Sequence, residues 1–152
     1  MDVTVIPAGR ESAATIGRLL QLYLYELSDY DAREIGDDGE FPYPYFTPYW
    51  EEPGRVPLLI RADGRLAGFA FIREVAPNTW EIAEFFILRM WRGRGVGAAA
   101  AHHVLNTHRG PWEIRFHPHN PPAAALWEGL ASERPNVHHG TADDQTKLSF
   151  VW

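Results

Sequence analysis

The stretch "WRGRGVGAAAAHH", residues 91–103, interleaves three glycines with arginines and then continues into a run of alanines. Glycines let the backbone curl so that successive N–H groups point inward, and the alanines that follow favour a helix. The N–H groups of such a turn and the positive end of the helix dipole face one point, beside the charges of Arg92 and Arg94. The stretch therefore predicts a strand-to-helix turn that binds an anion, phosphate above all.

The residues of this turn alone also allow other interpretations. A glycine-punctuated turn with two solvated arginines and no ligand has the same sequence. The letters "GRGVGA", residues 93–98, also satisfy the dinucleotide fingerprint, although the next strand ends in Phe116 and His117 where an acidic residue would hold the ribose. A P-loop is excluded more firmly, because the lysine followed by serine or threonine is missing.

Length and composition predict one folded domain over residues 1–152. The chain is 45% hydrophobic and 13% aromatic, which is enough apolar material for a core in a domain of this size. The absence of cysteine excludes disulfide scaffolds, cysteine nucleophiles and thiolate metal sites. Since the N-terminal stretch lacks the pattern of a signal peptide and no segment approaches the length of a membrane span, we expect a cytoplasmic protein with no membrane partner.

Charge is distributed unevenly along the chain. The formal net charge of -6 argues against a nucleic-acid partner, because that binding depends mainly on Lys and Arg. Arg89, Arg92 and Arg94 surround the glycine turn, whereas carboxylates crowd the segment before Arg55. These are Glu26, Asp29, Asp31, Glu34, Asp37, Asp38, Glu40, Glu51 and Glu52. The asymmetry suggests an anionic ligand at one site and a cationic ligand at another, although a merely solvated acidic loop would have the same composition.

The N-terminal third predicts a strand, a helix and a long loop. Residues 3–6 are typical of a short strand, and residues 12–27 of a helix with one apolar face. That face consists of Ile16, Leu19, Leu20, Tyr23, Leu24 and Leu27. Residues 29–54 are acidic and rich in proline and aromatics, with one helical turn expected near residues 46–50. A loop of this length is typical of a lid or binding loop, and its tyrosines would form good pocket walls.

The remaining two thirds predict a mixed sheet with helices. "VPLLIRADGRLAGFAFIREV", residues 56–75, is typical of a β-hairpin whose turn contains Gly64. A long strand, the glycine turn, a helix and the strand "WEIRF" then form a βαβ unit with parallel strands. A short helix beginning at residue 121 and a final strand complete the chain. We therefore predict an α/β (α+β) fold with a central mixed sheet of about six to seven strands, flanked by helices.

Three motifs resemble the GNAT acetyltransferase superfamily. "RGRGVG" resembles that family's R/Q-x-x-G-x-G/A signature, with Arg92, Gly95 and Gly97 in the defining places. "EIAEFFILRMW", residues 81–91, is similar to its fourth strand, and "NPPAAALW", residues 120–127, is similar to its Asn-x-x-Ala-x-x-Leu-Tyr stretch. The order of elements matches as well, so the resemblance spans nearly the whole chain and implies a single GNAT-like domain whose strands four and five splay apart.

The resemblance implies that acetyl-CoA is the co-substrate and that it lies in the gap between those strands. The pantetheine arm would pair with backbone groups at Ile87 and Leu88, and the pyrophosphate would lie on the N–H groups of residues 92–98. The implied cofactor-binding residues are Phe86, Ile87, Leu88, Arg92, Gly93, Arg94, Gly95, Val96, Gly97, Ala98, Asn120, Ala123 and Trp127.

Acetyl transfer to an amine needs a base for the amine, stabilisation of the tetrahedral oxyanion and a proton for the thiolate. Glu81 and Glu84 on the fourth strand are the candidate bases, and their spacing places them on opposite faces unless a bulge intervenes. We favour Glu84, because the neighbouring run "FFIL" would raise its pKa, whereas Glu81 better matches the position of the family's base. Deprotonation through water, with neither as base, stays open. The backbone N–H near Ile87 would hold the oxyanion.

The sequence departs from the family at Trp127, where many members have a tyrosine that protonates the thiolate. An indole N–H is far too weak an acid for that role. Either another group donates the proton, such as His117 or a tyrosine of the acidic segment, or the thiolate leaves without help. Tyr23, Tyr30 and Tyr45 are the predicted acceptor-binding residues, although Tyr23 also fits the core. The histidines lack metal-site spacing, so no metal is expected.

We therefore predict an acetyl-CoA-dependent N-acetyltransferase whose acceptor is a primary amine, either a small cationic amine or a protein amino group. The alternatives are a non-catalytic acyl-CoA-binding sensor or interaction module, and a dinucleotide-dependent enzyme. The sequence is compatible with a monomer or a homodimer, because its apolar final strand could pair with a second copy or form an ordinary edge.

Overall fold

One seven-stranded mixed sheet organises the chain, and the computed structural model describes it over residues 1–152. The strands are β1 (Val3–Pro7), β2 (Arg55–Ala62), β3 (Arg65–Ala76), β4 (Thr79–Ile87), β5 (Pro111–Phe116), β6 (His138–Ala142) and β7 (Gln145–Val151). The helices are α1 (Ala13–Leu27), α2 (Pro48–Glu51), α3 (Val96–Leu105) and α4 (Pro121–Ala131). The spatial order is β1-β2-β3-β4-β5-β7-β6, and only β4 and β5 run parallel. The predicted mixed α/β fold is confirmed.

The hairpin between β2 and β3 forms where the sequence predicts it. Its turn is Asp63 and Gly64, both with positive φ, at 49° and 75°. Two consecutive residues of this kind match the right-handed twist of the flanking strands, which is why Asp-Gly is favoured at such turns. The hairpin places β3 in the middle of the sheet, where it pairs with β4 on its other side.

The sheet has a separate hydrophobic core on each face. On one face α3 and α4 pack against residues such as Ile72, Ile82 and Ile114. On the other face the apolar side of α1 packs against Phe69 and Phe86. The buried residues of that helix are Ile16, Leu19, Leu20 and Leu24, in agreement with the predicted periodicity. Because both faces are covered, β2 to β4 are buried over much of their length.

The parallel pair β4 and β5 separates after three residue pairs. Trp80, Glu81 and Ile82 pair with Trp112, Glu113 and Ile114, and β4 then continues to Ile87 without a partner on that side. The separation leaves a gap in the middle of the sheet, which opens toward the start of α3. This is the splayed arrangement that the resemblance implied.

The acidic segment between α1 and β2 packs mainly through aromatic rings. Tyr49 stacks on Phe71 with ring centroids 3.9 Å apart. The side-chain amide of Gln21 donates to the Phe41 carbonyl at 2.9 Å and accepts from the Phe41 N–H at 2.8 Å. These contacts fix the segment over the sheet face that α1 covers. None of the helices combines the length and the apolarity that crossing a membrane would require.

Gly68 lies where β3 approaches β4 too closely for any side chain. A Cβ added at this position would lie 1.9 Å from the backbone carbonyl oxygen of Phe86. We expect Gly68→Ala to lower the free energy of unfolding by roughly 2–4 kcal/mol, because backbone must move to relieve the overlap. Urea unfolding followed by circular dichroism measures it.

The matched control is Gly129→Ala in α4, where an added Cβ has no atom within 4 Å. Alanine is the better helix former, so this variant should be more stable by roughly 0.5–1 kcal/mol. Equal stabilities for the two variants would contradict the close approach of β3 and β4.

Candidate active site

A β-bulge in β4 decides where its two glutamates point. In the pairing with β3, Phe71 lies opposite Glu84 and Ile72 lies opposite Ile82, so Ala83 is an extra residue. One extra residue reverses the alternation of faces beyond it. Glu81 and Glu84 consequently share the face that α1 covers, and the opposite-face arrangement expected of an unbroken strand does not occur.

Glu84 lies between two tyrosines. The Tyr23 hydroxyl donates to its Oε1 and the Tyr43 hydroxyl to its Oε2, both at 3.3 Å. Burial raises the pKa of Glu84 to about 7, and the two hydroxyl groups and Arg33 oppose that shift. A carboxyl group with this pKa is well suited to accept a proton near neutral pH. No cationic side chain lies within ion-pair distance of it.

Glu81 has a different environment, although it lies on the same face. Its side chain is almost fully buried, with Arg73 Nε 3.0 Å from Oε1 and Arg115 Nε 3.8 Å from Oε2. Arg73 is its cross-strand partner on β3, and Arg115 lies on β5. Two guanidinium groups compensate this carboxylate, which therefore ties the two strands together just before they separate.

Two cavities meet in the gap beyond that point. The strand-gap cavity, of about 280 Å³, lies between β4 and β5 and includes Glu81, Glu84 and Arg115 in its lining. The glycine-turn cavity, of about 500 Å³, extends from β4 to the start of α3 and includes Arg92 and Gly95. The residues that line both are Tyr23, Leu27, Tyr30, Phe85, Asn120, Ala123 and Trp127. Together the cavities form one cleft that connects Glu84 with the glycine turn.

The glycine turn itself presents free donors. Gly93 and Gly95 have φ of 71° and 81°, a backbone conformation that favours glycine, and Gly95 is the N-cap of α3. None of the N–H groups of residues 93–98 donates a hydrogen bond within the protein. Arg92 lies beside them and donates through Nε to the Ile87 carbonyl at 2.8 Å. Free N–H groups, a helix N-terminus and an arginine suit an anion such as a phosphate.

Most of the residues predicted to bind the cofactor line this cleft. They are Phe86, Ile87, Arg92, Gly93, Gly95, Gly97, Ala98, Asn120, Ala123 and Trp127. Asn120 caps α4 through its Oδ1, which accepts from the Ala123 N–H at 3.2 Å. Trp127 is buried, and its ring meets Phe85 edge to face with centroids 5.0 Å apart.

Three predicted cofactor-binding residues do not line the cleft. Arg94 is exposed and lies over the Trp91 ring at 5.3 Å, and the Val96 side chain is buried in the core. The Leu88 N–H donates to the Ala67 carbonyl at 2.8 Å, so it faces β3. Because successive N–H groups of a strand point to alternate sides, the N–H of Ile87 faces the gap instead. The backbone group that Leu88 could offer to a ligand in the gap is therefore not its N–H.

The three predicted acceptor-binding tyrosines separate in the structure. Tyr23 and Tyr30 line both cavities, whereas Tyr45 lines neither. The Tyr45 side chain is mostly exposed and contacts the Arg55 guanidinium at 5.5 Å. Tyr45 is thus not placed to bind a molecule in this cleft. Tyr43, two residues earlier, reaches Glu84 and was missed, since nothing in "FPYPYF" distinguishes one aromatic ring from another.

Few carboxylates of the acidic segment line the cleft. Asp37, Asp38 and Glu40 line a separate cavity between α1 and the segment. Asp31 does line the strand-gap cavity, but Arg33 binds both of its carboxylate oxygens at 2.6 Å. Asp29 lines the glycine-turn cavity and forms no ion pair, so the segment contributes one paired and one unpaired carboxylate to the cleft.

Glu26 is a further cleft residue that the sequence does not single out. It lies on α1 beside the glycine turn, where it accepts from Arg89 Nε and Arg92 Nη2, both at 2.8 Å. Its only signal in the sequence is membership of the acidic stretch. No group of three or more His, Cys, Asp or Glu residues is arranged to hold a metal ion.

Comparison with known proteins gives a consistent result. The sequence profile of the acetyltransferase (GNAT) family matches residues 21–131. Mycothiol acetyltransferase of Salinispora arenicola (strain CNS-205) is 34% identical over 111 residues, which are 70% of this chain and 36% of that protein. The chain thus matches only about a third of the length of this relative.

Solved structures show the same fold at low identity. A GNAT acetyltransferase from Staphylococcus aureus MU50 superposes with a TM-score of 0.72 at 10% identity, covering 99% of both chains. PaiA N-acetyltransferase from Thermoplasma acidophilum, in complex with coenzyme A, superposes with a TM-score of 0.67 at 11% identity, covering 100% of both chains. At such identities the likeness concerns the fold alone.

The environment of Glu84 makes stability depend on pH in a defined direction. Its pKa is about 7 in the folded protein against an ordinary value of 4.5, so the folded state holds its proton more tightly. This contribution to stability is present at low pH and is lost as the pH rises through the folded pKa. Relative to Glu84→Gln, the wild type should lose roughly 1–3 kcal/mol of unfolding free energy between about pH 4 and pH 8.

Urea unfolding of both proteins across that pH range measures this difference. A constant difference between the two curves would show that the carboxyl group is not desolvated.

Proposed function

This chain belongs to the GNAT acetyltransferase family, and on that premise we propose that it transfers an acetyl group from acetyl-CoA to a primary amine beside Glu84. The observation that carries the proposal is a carboxyl group with a pKa of about 7 at the inner end of a cleft. The other end of that cleft is a turn whose N–H groups have no partner. One end suits an amine and the other suits a phosphate.

The glycine-turn cavity fits the coenzyme. In the proposal, the pyrophosphate accepts hydrogen bonds from the free N–H groups of residues 93–98 and from Arg92. The pantetheine arm is an amide chain, and it runs along the edge of β4 that faces the gap. Asn120, Ala123 and Trp127 form the opposite wall of the cleft.

Glu84 acts as the general base in this proposal. It accepts a proton from the acceptor nitrogen, which then attacks the thioester carbonyl. A backbone N–H that faces the gap, that of Ile87, donates to the oxyanion of the tetrahedral intermediate. Glu81 holds Arg73 and Arg115 instead, so its role is to fix the strands on either side of the base.

The charges around the strand-gap cavity favour an amine as the acceptor. Asp31 is paired with Arg33, and Glu81 is paired with Arg73 and Arg115. Glu84 is the carboxylate in this lining that has no cationic partner, so an ammonium group gains most by binding there. A cavity of about 280 Å³ has room for a small amine or for the terminal part of a protein amino group.

A second candidate function follows from Trp127. Because the indole cannot protonate a thiolate, a chain that binds acyl-CoA as a sensor without turnover also accounts for this residue. The two functions differ in turnover and not in coenzyme binding. A sensor would bind acetyl-CoA and would acetylate none of a broad panel of amines.

The variant Glu84→Gln tests the general base. We expect kcat to fall by about 100-fold or more, while the affinity for acetyl-CoA changes little, because the amide cannot accept the amine proton. In the wild type, activity should rise with pH and level off above the Glu84 pKa of about 7, since only the ionised carboxylate accepts a proton. Thiol release from acetyl-CoA, measured from pH 5.5 to 9 (roughly the range over which such a group titrates), gives both results.

Glu81→Gln is the matched control for that experiment. It should lower stability by up to roughly 3–5 kcal/mol, because it removes the carboxylate that pairs with Arg73 and one of the two beside Arg115, and it should keep the pH inflection. If Glu81→Gln loses the inflection and Glu84→Gln keeps it, the assignment of the base is reversed.

The variants Arg92→Ala and Arg94→Ala test the coenzyme site. Of these two arginines, only Arg92 lines the glycine-turn cavity, so its removal should weaken acetyl-CoA binding by about 10-fold to 100-fold. Arg94→Ala should bind within about twofold of the wild type, because that side chain lies over Trp91 outside the cavity. Isothermal titration calorimetry with acetyl-CoA, and separately with NAD, measures these affinities. Tighter binding of NAD would support a dinucleotide-dependent enzyme instead.

A further inference from the structure

Transfer of the acetyl group leaves a thiolate that requires a proton, and the proposed function names no donor for it. Trp127 occupies the position where many members of the family have a tyrosine, and its indole N–H is far too weak an acid. The structure offers several tyrosines and histidines near the cleft. Their positions relative to the two cavities and their existing hydrogen bonds distinguish them.

The reacting thioester has to lie where the cavities meet. Its carbonyl carbon must reach an amine held at Glu84, in the strand-gap cavity, while the rest of the coenzyme occupies the glycine-turn cavity. Among the seven residues that line both cavities, two have a hydroxyl group, Tyr23 and Tyr30. A proton donor to the sulfur is therefore to be sought between these two.

The Tyr23 hydroxyl already donates a hydrogen bond within the protein. It donates to Glu84 Oε1 at 3.3 Å, and burial, with the nearby Glu84 carboxylate, raises its pKa well above the ordinary value. A buried phenol whose pKa is raised this far is a weaker acid, and its hydroxyl is already hydrogen-bonded to the base. Tyr23 is thus a poor acid here, and its role is to orient the base.

The Tyr30 hydroxyl, in contrast, is free to donate. Tyr30 lies just beyond α1, where its N–H donates to the Leu27 carbonyl at 2.9 Å, and its hydroxyl makes no hydrogen bond within the protein. Its ring stacks on His117 with centroids 6.0 Å apart and an interplanar angle of 27°. His117 is itself held by the His119 N–H, which donates to its Nδ1 at 3.2 Å.

His117 is the other candidate, and its position disfavours it. It lines the strand-gap cavity but not the glycine-turn cavity, in which the coenzyme would lie. Its contact with Tyr30 instead fixes the plane of the tyrosine ring.

We propose that Tyr30 donates its phenolic proton to the departing CoA thiolate and thereby replaces the acid that Trp127 cannot supply. This inference rests on the proposed acetyl transfer. It assigns a catalytic role to the loop that follows α1, on the opposite side of the cleft from Trp127 on α4.

The proton and electron balance of the step closes for an acceptor that enters as a neutral amine. The nitrogen forms a bond to the carbonyl carbon and loses one proton to Glu84. The carbon–sulfur bond breaks with its electron pair going to sulfur, and the carbonyl forms again. Tyr30 protonates the sulfur, and the proton on Glu84 restores the tyrosinate through water. An acceptor that enters as an ammonium ion releases one further proton to water.

The variant Tyr30→Phe tests the proposal, because it keeps the ring that stacks on His117 and removes only the hydroxyl. The first measurement is the pKa of the CoA thiol in the complex. It is obtained from the ultraviolet absorbance of the thiolate as the pH is varied, with desulfo-CoA as the blank. A hydroxyl that donates to the thiolate lowers this pKa. We expect the bound thiol in Tyr30→Phe to have a pKa about one unit higher than in the wild type.

The second measurement is turnover with acetyl-CoA and an accepted amine. We expect kcat of Tyr30→Phe to fall by about 10-fold to 100-fold, while the KM for acetyl-CoA stays within about twofold. The control is Tyr25→Phe, whose side chain is exposed and lies outside both cavities, and which should match the wild type in both measurements.

The outcomes separate the two proposals. If no amine is acetylated, the proposed function fails, while the thiol pKa still shows whether Tyr30 donates to sulfur. If Tyr30→Phe keeps the wild-type thiol pKa and kcat, the role of Tyr30 is overturned. A shift found in His117→Asn and absent from Tyr30→Phe would overturn it in favour of the histidine.

Discussion

The extra residue in β4 is the constraint on which the site depends. Ala83 is an extra residue between the pairs Phe71–Glu84 and Ile72–Ile82. Because of it, both glutamates of β4 face α1, and beyond Ile82 β4 no longer pairs with β5. An unbroken strand would direct Glu84 into the packed face beneath α3 and α4. The bulge thus places Glu84 on the face that α1 covers, next to the gap that opens where β4 and β5 separate.

Of the three carboxyl groups that line the strand-gap cavity, only Glu84 has no cationic partner. Glu81 is held between Arg73 and Arg115, and Asp31 is held by Arg33. Glu84 has two tyrosine hydroxyl groups in place of a cation. Hydroxyl groups stabilise the charged form less than a guanidinium does, so desolvation dominates and the pKa rises. Two glutamates three residues apart thus differ in chemical environment because different side chains surround them.

Much of the fold could be predicted because its signals are local. The hairpin turn at Asp63 and Gly64, the apolar face of α1 and the glycine turn before α3 each depend on residues close together in sequence. Local signals failed where side chains from distant segments meet. Tyr43 and Tyr45 are equivalent as letters, yet only Tyr43 contacts Glu84. The acidic segment likewise has the composition of a cation site, while most of its carboxylates lie elsewhere.

The sequence by itself determined the order of elements, the glycine-rich turn at residues 93–98 and the presence of two glutamates on β4. These follow from backbone preferences and from spacing along one strand. Only the tertiary structure gave the two glutamates different neighbours, directed the Leu88 N–H toward β3 and placed Tyr30 beside the gap. Those outcomes depend on burial and on contacts between segments far apart in sequence, and neither quantity exists until the sheet has formed and α1 has packed on it.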